Sequence, residues 1–368
     1  MASEIVRFPV EPMRCFVEAA FVELGVPKAD ACVCADVLLA ADLRGIESHG
    51  IGRLKVYTDR IRNRQLSPTT HVEIVRESPA TCVMDGHHGM GPVVACRAME
   101  LAIAKAKKVG LGAVAVRNSS HFGIAGYYPL MAVRDGLIGI TVTNARPAVL
   151  PTFGTEPMFG TNPIAFGAPT DEECPFLFDA ATSIVPRGKL EVLSRAEEPT
   201  PQGWVGDHAG QPACDTNAIL NGLGEGTFGL FPLGGAGESF GGHKGYGLAT
   251  VVEILCASLQ HGAFLKDLSS KGADGALRKQ QIGHFFLAID IAAFEPVDAF
   301  RKRTGDILRA LRASRQMEGV ERIYTAGEKE WESEARIRRQ GIPVNPNLRR
   351  TLVAVREALA LDDFGLPL

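Results

Sequence analysis

No apolar run in the 368-residue chain approaches the ~18 residues that a membrane-spanning helix needs, so no segment is expected to cross a bilayer in that way. Nor is there an excess of charge of one sign. Lys and Arg number 39 against 42 Asp and Glu, a formal net charge of −3. Such a balance gives no field for nucleic acid or an anionic membrane surface. The opening residues lack the charged-then-apolar pattern of a secretory signal, and the expected compartment is the cytoplasm. Eight cysteines stand at 15, 32, 34, 82, 96, 174, 214 and 256. Only Cys32 and Cys34 are close, so neither a disulfide framework nor a metal site is expected, and most of the eight read as small buried hydrophobes. There is no GxxxxGK[ST] phosphate loop and no GxSxG nucleophile elbow. The turn Gly89 to Gly91 opens a helix after a strand, but Val94 stands where a third glycine belongs. No acid ends the next strand either, which excludes the Rossmann fingerprint. Internal repeats and low-complexity segments are absent.

Hydrophobic residues make up 46% and charged residues 22%, the composition of a folded globular chain. The length fits two domains. The 40 glycines concentrate between positions 110 and 250 rather than in tails, which points to tight turns and close backbone approach. Helical spacing runs through Met13, Phe16, Val17, Ala20, Phe21 and Leu24, through Cys34, Val37, Leu38 and Ala41, and through Leu54, Tyr57 and Ile61. From Ala80 the texture becomes mixed. Strands are expected at 81–85, 111–117, 137–143, 164–168, 176–178 and 282–291, with an Ala-rich helix at 92–108. A glycine-rich loop, 222–242, precedes a helix whose apolar face is read as Leu248, Val251, Val252, Leu255, Cys256 and Leu259. Helices return at 297–312, 329–340 and 348–360. The simplest architecture is α/β: a helical domain formed by both chain ends, residues 1–75 and 295–368, packed on an α/β domain of residues 76–294.

Chemistry concentrates in loops. Gly45 to Arg53, GIESHGIGR, sets Ser48, His49 and Arg53 among three glycines between two helices. Histidine exchanges a proton near neutrality, and arginine grips a carboxylate through two parallel hydrogen bonds. The alternative is a helix cap. Arg117 to Gly123, RNSSHFG, puts His121 at the end of a strand, where α/β proteins place ligands. The alternative is a structural histidine. Asp179 ends an apolar strand and needs a partner, for which a histidine is suited. GGHKGYG, 241–247, opens a helix, where unpaired N–H groups and Lys244 make an anion site for a cofactor pyrophosphate. His71, His208, His261 and His284 are isolated and given no role.

Taken together, these loops resemble the malate/L-lactate dehydrogenase type-2 family of NAD(P)-dependent oxidoreductases. That family also includes sulfolactate, ureidoglycolate and diketogulonate enzymes and cyclic imine reductases. The resemblance rests on ESHGIGR (47–53), NSSHFG (118–123), FGTNP (159–163), DAATS (179–183), RGK (187–189), GGHKGYGL (241–248) and AGEKE (326–330), in the family's order along nearly the whole chain. The stretch 223–242 departs from it in being longer and richer in glycine. The resemblance implies a non-Rossmann cofactor domain with a mixed sheet, a helical domain from both termini, and a homodimer. It implies a catalytic Ser48–His49 pair, a second loop histidine at His121 and a buried acid at Asp179. Cofactor contacts would fall on Thr143, Asn144, Gly160, Thr161, Asp179, Ala181, Thr182, Ser183, His243, Lys244, Gly245, Gly327 and Glu328. The cofactor is NAD, with NADP an alternative, and no metal is implied.

The reaction expected is reversible hydride transfer between NAD(P)H and a 2-oxo or 2-hydroxy acid, malate first. L-Lactate, sulfolactate, ureidoglycolate and a cyclic imino acid are alternatives. Arg53 would anchor the carboxylate, with Arg146, Arg187 and Lys244 available for a second one. His49 or His121 would carry the proton, supported by Asp179 or Ser48, with a pH profile turning near an ordinary histidine value of ~6.5. A Ser48–His49–Asp179 hydrolase is a rival, and so is a catalytically silent ligand-binding protein. Adjacent residues such as Ser48 and His49 are not expected to face each other.

Overall fold

The computed structural model describes residues 5–272 and 274–368. Two cores carry most of the chain. The first joins the chain ends. Strand β1 (Val6–Phe8) leads into helices α1 (Val10–Glu23), α2 (Lys28–Leu43) and α3 (Leu54–Arg62). The apolar stripes of these helices, Met13, Phe16, Val17, Phe21, Leu38 and Leu54 among them, close on residues from the far end of the sequence. A helix with one apolar face is stable only when that face is covered; here Ile337, Ile342, Leu352 and Val355 help to cover it.

The second core lies on a seven-stranded sheet. Strands β2 (Glu73–Glu77) and β3 (Thr81–Asp85) precede α4 (Gly91–Val109), β4 (Leu111–Ser119), α5 (Tyr127–Arg134) and β5 (Ile138–Thr143). Then come β6 (Ile164–Ala168), β7 (Phe176–Ala180), α6 (Arg187–Ala196), β8 (Val205–Gly206), α7 (Thr216–Glu225), β9 (Gly229–Leu230) and α8 (Gly242–Ala257). Strand β10 (Ile282–Ile289) and helices α9 (Val297–Arg312) and α10 (Glu328–Gln340) follow. Strand β11 (Ile342–Val344) and helix α11 (Pro346–Leu359) end the chain. β11 pairs with β1, so the two ends are tied by backbone hydrogen bonds as well as by packing.

The large sheet has the order β2-β3-β4-β10-β5-β6-β7. Only β3 and β4 run parallel, joined by α4; every other neighbouring pair is antiparallel. A dinucleotide cannot therefore use the crevice of a doubly wound parallel sheet. Side chains on β10 alternate between two helical layers, as a pleated strand requires. Phe286 is buried among Val94, Met99, Val114 and Tyr128 under α4 and α5, while Phe285 packs with Val142, Val252 and Cys256 under α8.

The six expected strands are found to within a few residues, while β1, β2, β8, β9 and β11 were not expected. β2 is exposed along its whole length and has no apolar alternation to read. β1 and β11 are three residues each. The supposed loop 222–242 contains the end of α7 and all of β9. The face expected for α8 is corrected. The helix buries Ala249, Val252, Glu253 and Cys256, and leaves Leu248, Val251 and Leu259 in the open. The eight cysteines are all free thiols, and four of them, Cys34, Cys82, Cys96 and Cys256, are buried. No helix among the described residues is long and apolar enough to cross a membrane.

Phe286 is fully buried at the centre of the sheet. Phe286→Ala is expected to lower unfolding free energy by about 3–5 kcal/mol through lost transfer energy and a residual cavity. Denaturant unfolding followed by circular dichroism checks this, and a loss under about 1 kcal/mol would contradict the central position of that side chain.

Candidate active site

The loop between α2 and α3 is folded by one buried carboxyl. Asp42, in the last turn of α2, is 2% exposed, and its Oδ2 accepts the Ile51 N–H at 2.6 Å. Gly50 lies directly on this carboxyl, where any Cβ would overlap it. Burial pushes the Asp42 pKa up to about 8, against the lowering effect of the Ile51 hydrogen bond. The chain on top takes two short 3-10 turns, Glu47–His49 and Ile51–Arg53. These bring Ser48 Oγ to 2.8 Å from His49 Nδ1, so the neighbours do face each other, contrary to expectation. Arg53 Nε donates to the Ser48 carbonyl at 2.5 Å. Ser48, His49 and Arg53 thus form one rigid unit.

The second histidine loop is held from below. Arg117 Nε and Asn118 Nδ2 both donate to Asp85 Oδ2, at 2.8 and 2.9 Å. Ser120 Oγ donates to the Gly89 carbonyl and accepts the Gly91 N–H. Gly91 is required because a Cβ there would strike the Ser120 and His121 carbonyls. The glycine turn at 89–91 therefore seats α4 against the His121 loop, which accounts for its failure as a nucleotide fingerprint. Tyr57, on α3, donates to the His121 carbonyl at 2.7 Å and lies 2.9 Å from His121 Nδ1. The Gly123 N–H donates to the same nitrogen at 3.3 Å. Gln280 Oε1 accepts from Arg60 at 3.0 Å and from the His121 N–H at 3.4 Å. The two imidazoles end nearly parallel, 5.5 Å between centroids and 19° between planes.

The field around them is cationic. Arg60 feels Arg146 and Arg53, and Arg146 feels Arg187 and Arg53; burial is the first cause that lowers the pKa of each, and these neighbours add to it. Helix α6 begins over Ser48, where a Cβ on Gly188 would come within 3.3 Å of the serine. Arg187 lies next to that contact and pairs with Glu191 on its own helix. Arg146 makes no ion pair among the described residues. Burial and then Arg53 push the His49 pKa down to about 4. His121 is pushed well below the ordinary range by burial, then by His49, Arg53, Arg60 and His284. Both rings are neutral at pH 7. The sequence reading missed Asp42, Tyr57, Arg60 and Gln280. Arg53, Tyr57 and Arg60 share one face of α3 at spacings of four and three, a signal hidden because Tyr57 was counted only as apolar.

Asp179 is elsewhere. Its Oδ2 accepts the Gly126 N–H at 2.7 Å at the start of α5. Burial raises its pKa to about 6, with Arg44 pulling the other way. Neither His49 nor His121 has Asp179 as a hydrogen-bond partner among the described residues, so the expected Asp179–histidine pair is absent. The acid is instead used to hold the start of α5.

Most side chains expected to touch the cofactor are turned inward. Thr143 Oγ1 lies 2.7 Å from His284 Nδ1, Asn144 Nδ2 donates to Glu253, Thr182 Oγ1 donates to the Asn162 carbonyl, and Ser183 Oγ donates to the Val185 carbonyl. Glu328 accepts from Arg312 and from the Thr325 N–H. Gly160 packs on Ala145, Gly245 on Leu233 and Gly327 on Leu177. Thr161 and Ala181 are half-buried. These segments offer backbone and shape. The start of α8 is different. His243 and Lys244 are exposed, and no loop carbonyl or side chain among the described residues accepts from the Gly242 or His243 N–H. Two free donors, a cation and the positive end of a 16-residue helix fit the pyrophosphate of a dinucleotide. Among the described residues no cluster of three or more His, Cys, Asp or Glu could hold a metal ion.

Known proteins match the chain along most of its length. The family model described as malate/L-lactate dehydrogenase matches residues 8–353. The chain is 45% identical over 339 residues to a malate dehydrogenase of Pyrococcus abyssi, spanning 92% of this chain and 91% of that one. It is 38% identical to an L-sulfolactate dehydrogenase of Methanocaldococcus jannaschii, spanning 92% and 93%. The crystal structure of malate dehydrogenase from Entamoeba histolytica superposes with a TM-score of 0.94 at 40% identity, covering 99% of this chain and 100% of that one.

Asp42 has a titration consequence of its own. Folded, it keeps its proton to about pH 8; unfolded, it releases it near ~3.9. Across that interval the folded state binds more protons, so the stability contribution is full below the unfolded value and is lost as pH rises toward 8. Asp42→Asn keeps an acceptor for Ile51 and removes the ionisation. Its melting temperature should exceed that of the parent by more at pH 8 than at pH 5, as differential scanning calorimetry would register; an equal difference at the two pH values would mean that Asp42 is ionised in the fold.

Proposed function

We propose that this chain, which belongs to the malate/L-lactate dehydrogenase family, interconverts a dianionic 2-hydroxy acid, malate foremost, with its 2-oxo acid. It is an NAD(P)-dependent 2-hydroxy-acid dehydrogenase. The observation that carries the substrate class is the cluster of Arg53, Arg60, Arg146 and Arg187 beside two neutral histidines, neither ring hydrogen-bonded to a carboxylate among the described residues. A bound dianion satisfies such a field. Arg53, fixed to the Ser48 carbonyl, takes the carboxylate next to the reacting carbon, and Arg146 and Arg187 take the distal anion. Lactate, with one carboxylate, would leave the second pair uncompensated.

Bound nicotinamide supplies the hydride exchange at the substrate's C2. The start of α8 with Lys244 holds its pyrophosphate, and the backbone at 143–145, 160–161, 179–183 and 327–328 shapes the cleft. His49 Nε2 takes the hydroxyl proton, with Ser48 steadying the ring through Nδ1. The Ser48–His49 contact also invites a hydrolase reading. Hydrolysis of that type needs an acid on the histidine's other nitrogen, and Asp179 is committed to Gly126.

The decisive assay follows nicotinamide absorbance with NADH and NADPH over oxaloacetate, sulfopyruvate, pyruvate and a cyclic imino acid. Oxaloacetate should be reduced, and pyruvate far less well. Arg146→Ala or Arg187→Ala should raise the oxaloacetate KM by about tenfold or more, a loss of ~1.4 kcal/mol or more, and move the pyruvate KM less. Equal rates for both acids would sink the dianion site, and no turnover of any would leave a ligand-binding protein.

The pH profile should also depart from that of an ordinary histidine. With His49 held near pKa 4 by burial and Arg53, kcat/KM for oxidation should rise with pH through that value and be level above ~5. Reduction needs the protonated ring and should fall over the same interval. His49→Asn should lose ~10²–10⁴ in both directions and flatten both curves. A midpoint near 6.5 in the free enzyme would contradict the burial of this ring.

We also propose a homodimer. Leu248, Val251, Ile254 and Leu259 leave the outer face of α8 between 42% and 54% exposed, and Phe240 nearby is 89% exposed. Apolar surface of this extent is covered in stable proteins. Sedimentation equilibrium should give twice the 39.4 kDa chain mass, and Val251→Glu should lower it; a fully active monomer would count against the proposal.

A further inference from the structure

The two histidines look alike in position, yet their Nδ1 atoms meet different partners. His49 Nδ1 faces the Ser48 hydroxyl, which rotates and can either donate or accept. That ring can hold its neutral proton on Nδ1, leave Nε2 as a lone pair, and accept a second proton there. His121 Nδ1 faces the Gly123 backbone N–H at 3.3 Å, which only donates and cannot turn away. The Tyr57 hydroxyl, 2.9 Å from the same nitrogen, has its proton available to that nitrogen or to the His121 carbonyl at 2.7 Å. Nδ1 is therefore the lone-pair nitrogen, and a neutral ring carries its hydrogen on Nε2. No group of the chain is hydrogen-bonded to that Nε2 among the described residues.

We propose that His121 serves as a catalytic hydrogen-bond donor, presenting a fixed Nε2–H to the reacting oxygen without releasing it, with the Gly123 N–H fixing this tautomer and Tyr57 as the positioning residue that holds the ring and its carbonyl in place. The inference rests on the dehydrogenase reading above. In oxidation the C2–H electron pair leaves as hydride to the nicotinamide and the O–H proton goes to His49 Nε2. The C=O bond forms, and the His121 hydrogen stays on nitrogen, bonded to that oxygen. Reduction reverses each movement. A donor of this kind stabilises the partial negative charge on the oxygen in either direction.

Burial, His49, Arg53, Arg60 and His284 all oppose protonation of His121. His49 stacks on it, Tyr57, Arg53 and Arg60 approach from α3 and the turn before it, and His284 approaches from β10. None of these carries a negative charge at neutral pH. Burial adds to the effect, so the ring stays neutral across the physiological range.

Two measurements on the full chain test this. With histidine-selective 15N labelling, and the His121 signals identified by their loss in His121→Gln, two-bond 15N–1H correlations should show an Nε2–H ring that does not titrate from pH 5.5 to 8. An Nδ1–H tautomer, or a midpoint inside that range, overturns the proposal. In kinetics, His121→Ala should lower kcat by ~10²–10³. His121→Gln puts an amide N–H close to the Nε2 position and should recover at least tenfold of that loss with the parent pH profile. His121→Asn, whose amide is shorter, should recover less. Tyr57→Phe should lower kcat with little change in KM, while the His121 15N signals keep the Nε2–H tautomer set by Gly123. A pH limb that vanishes in His121→Gln would make His121 the proton carrier instead. An enzyme that reduces none of the oxo acids overturns the function and this role together, whereas normal turnover with the other tautomer overturns this role alone.

Discussion

The hydrogen bond from Ile51 N–H to the buried Asp42 carboxyl is the contact on which the substrate end of the molecule turns. It draws the loop after α2 down onto the helix, and the fit is so close that only glycine is accommodated at position 50. With the loop pinned, the chain has room for two 3-10 turns and no more. That compression points Ser48 at His49 and returns Arg53 to the Ser48 carbonyl. A looser loop would present the same three side chains without a fixed relation among them. Burial of the carboxyl is costly, as its raised pKa records, and that cost is borne where the geometry of a reacting centre is at stake.

From that loop follows an electrostatic arrangement. Four guanidinium groups converge near two imidazoles, and the nearby carboxyls are used for other purposes: Asp42 under the loop, Asp85 under the second histidine loop, Asp179 at α5. A site with this excess of positive charge, in which only Arg187 has a carboxylate partner among the described residues, binds anions strongly and keeps its histidines neutral. Neutral imidazole is the form that accepts a proton from an alcohol. A dianion entering the site lowers the cationic field and moves the His49 pKa back toward its ordinary value. Substrate binding thereby makes the ring a better base when it is needed.

Much of this was legible in the sequence, and what was not has identifiable causes. Ser48, His49, Arg53 and His121 stand in loops with distinctive local composition, so reading them needed no contact information. Most helices, though not α6 and α7, and six of the seven strands of the large sheet announced themselves by periodicity, Phe286 and Val114 on one side of the sheet and Phe285 and Val142 on the other. Strand β2 carried no alternation because both its faces are exposed. The apolar face of α8 was misjudged because hydrophobicity was equated with burial within one chain. Asp42, Tyr57 and Gln280 act through partners 9, 64 and 159 positions away, and no local pattern encodes such pairings. Asp179 was matched to a histidine by chemistry alone, while the fold gave it a backbone N–H 53 positions away.

The two histidine loops and the proposed cofactor end at the start of α8 are joined through the sheet by His284. Its Nε2 meets Ser119 on β4 at 2.8 Å, two residues before His121, and its Nδ1 meets Thr143 on β5 at 2.7 Å, next to Asn144. Asn144 and Asn162 both donate to the buried carboxyl of Glu253 on α8, which also accepts the Leu265 N–H. Eleven residues earlier on the same helix, about 16 Å away along its axis, lie the free N–H groups at Gly242 and His243. A bridging histidine can serve two hydroxyls at fixed distance only if it does not gain and lose a proton with the solvent. Burial holds the His284 pKa near 3, so the bridge stays neutral at any pH at which the enzyme works. The same physical effect, burial of an imidazole, thus has two consequences in this fold: it keeps neutral the His49 ring proposed as the base, and it makes His284 an inert spacer between two loops.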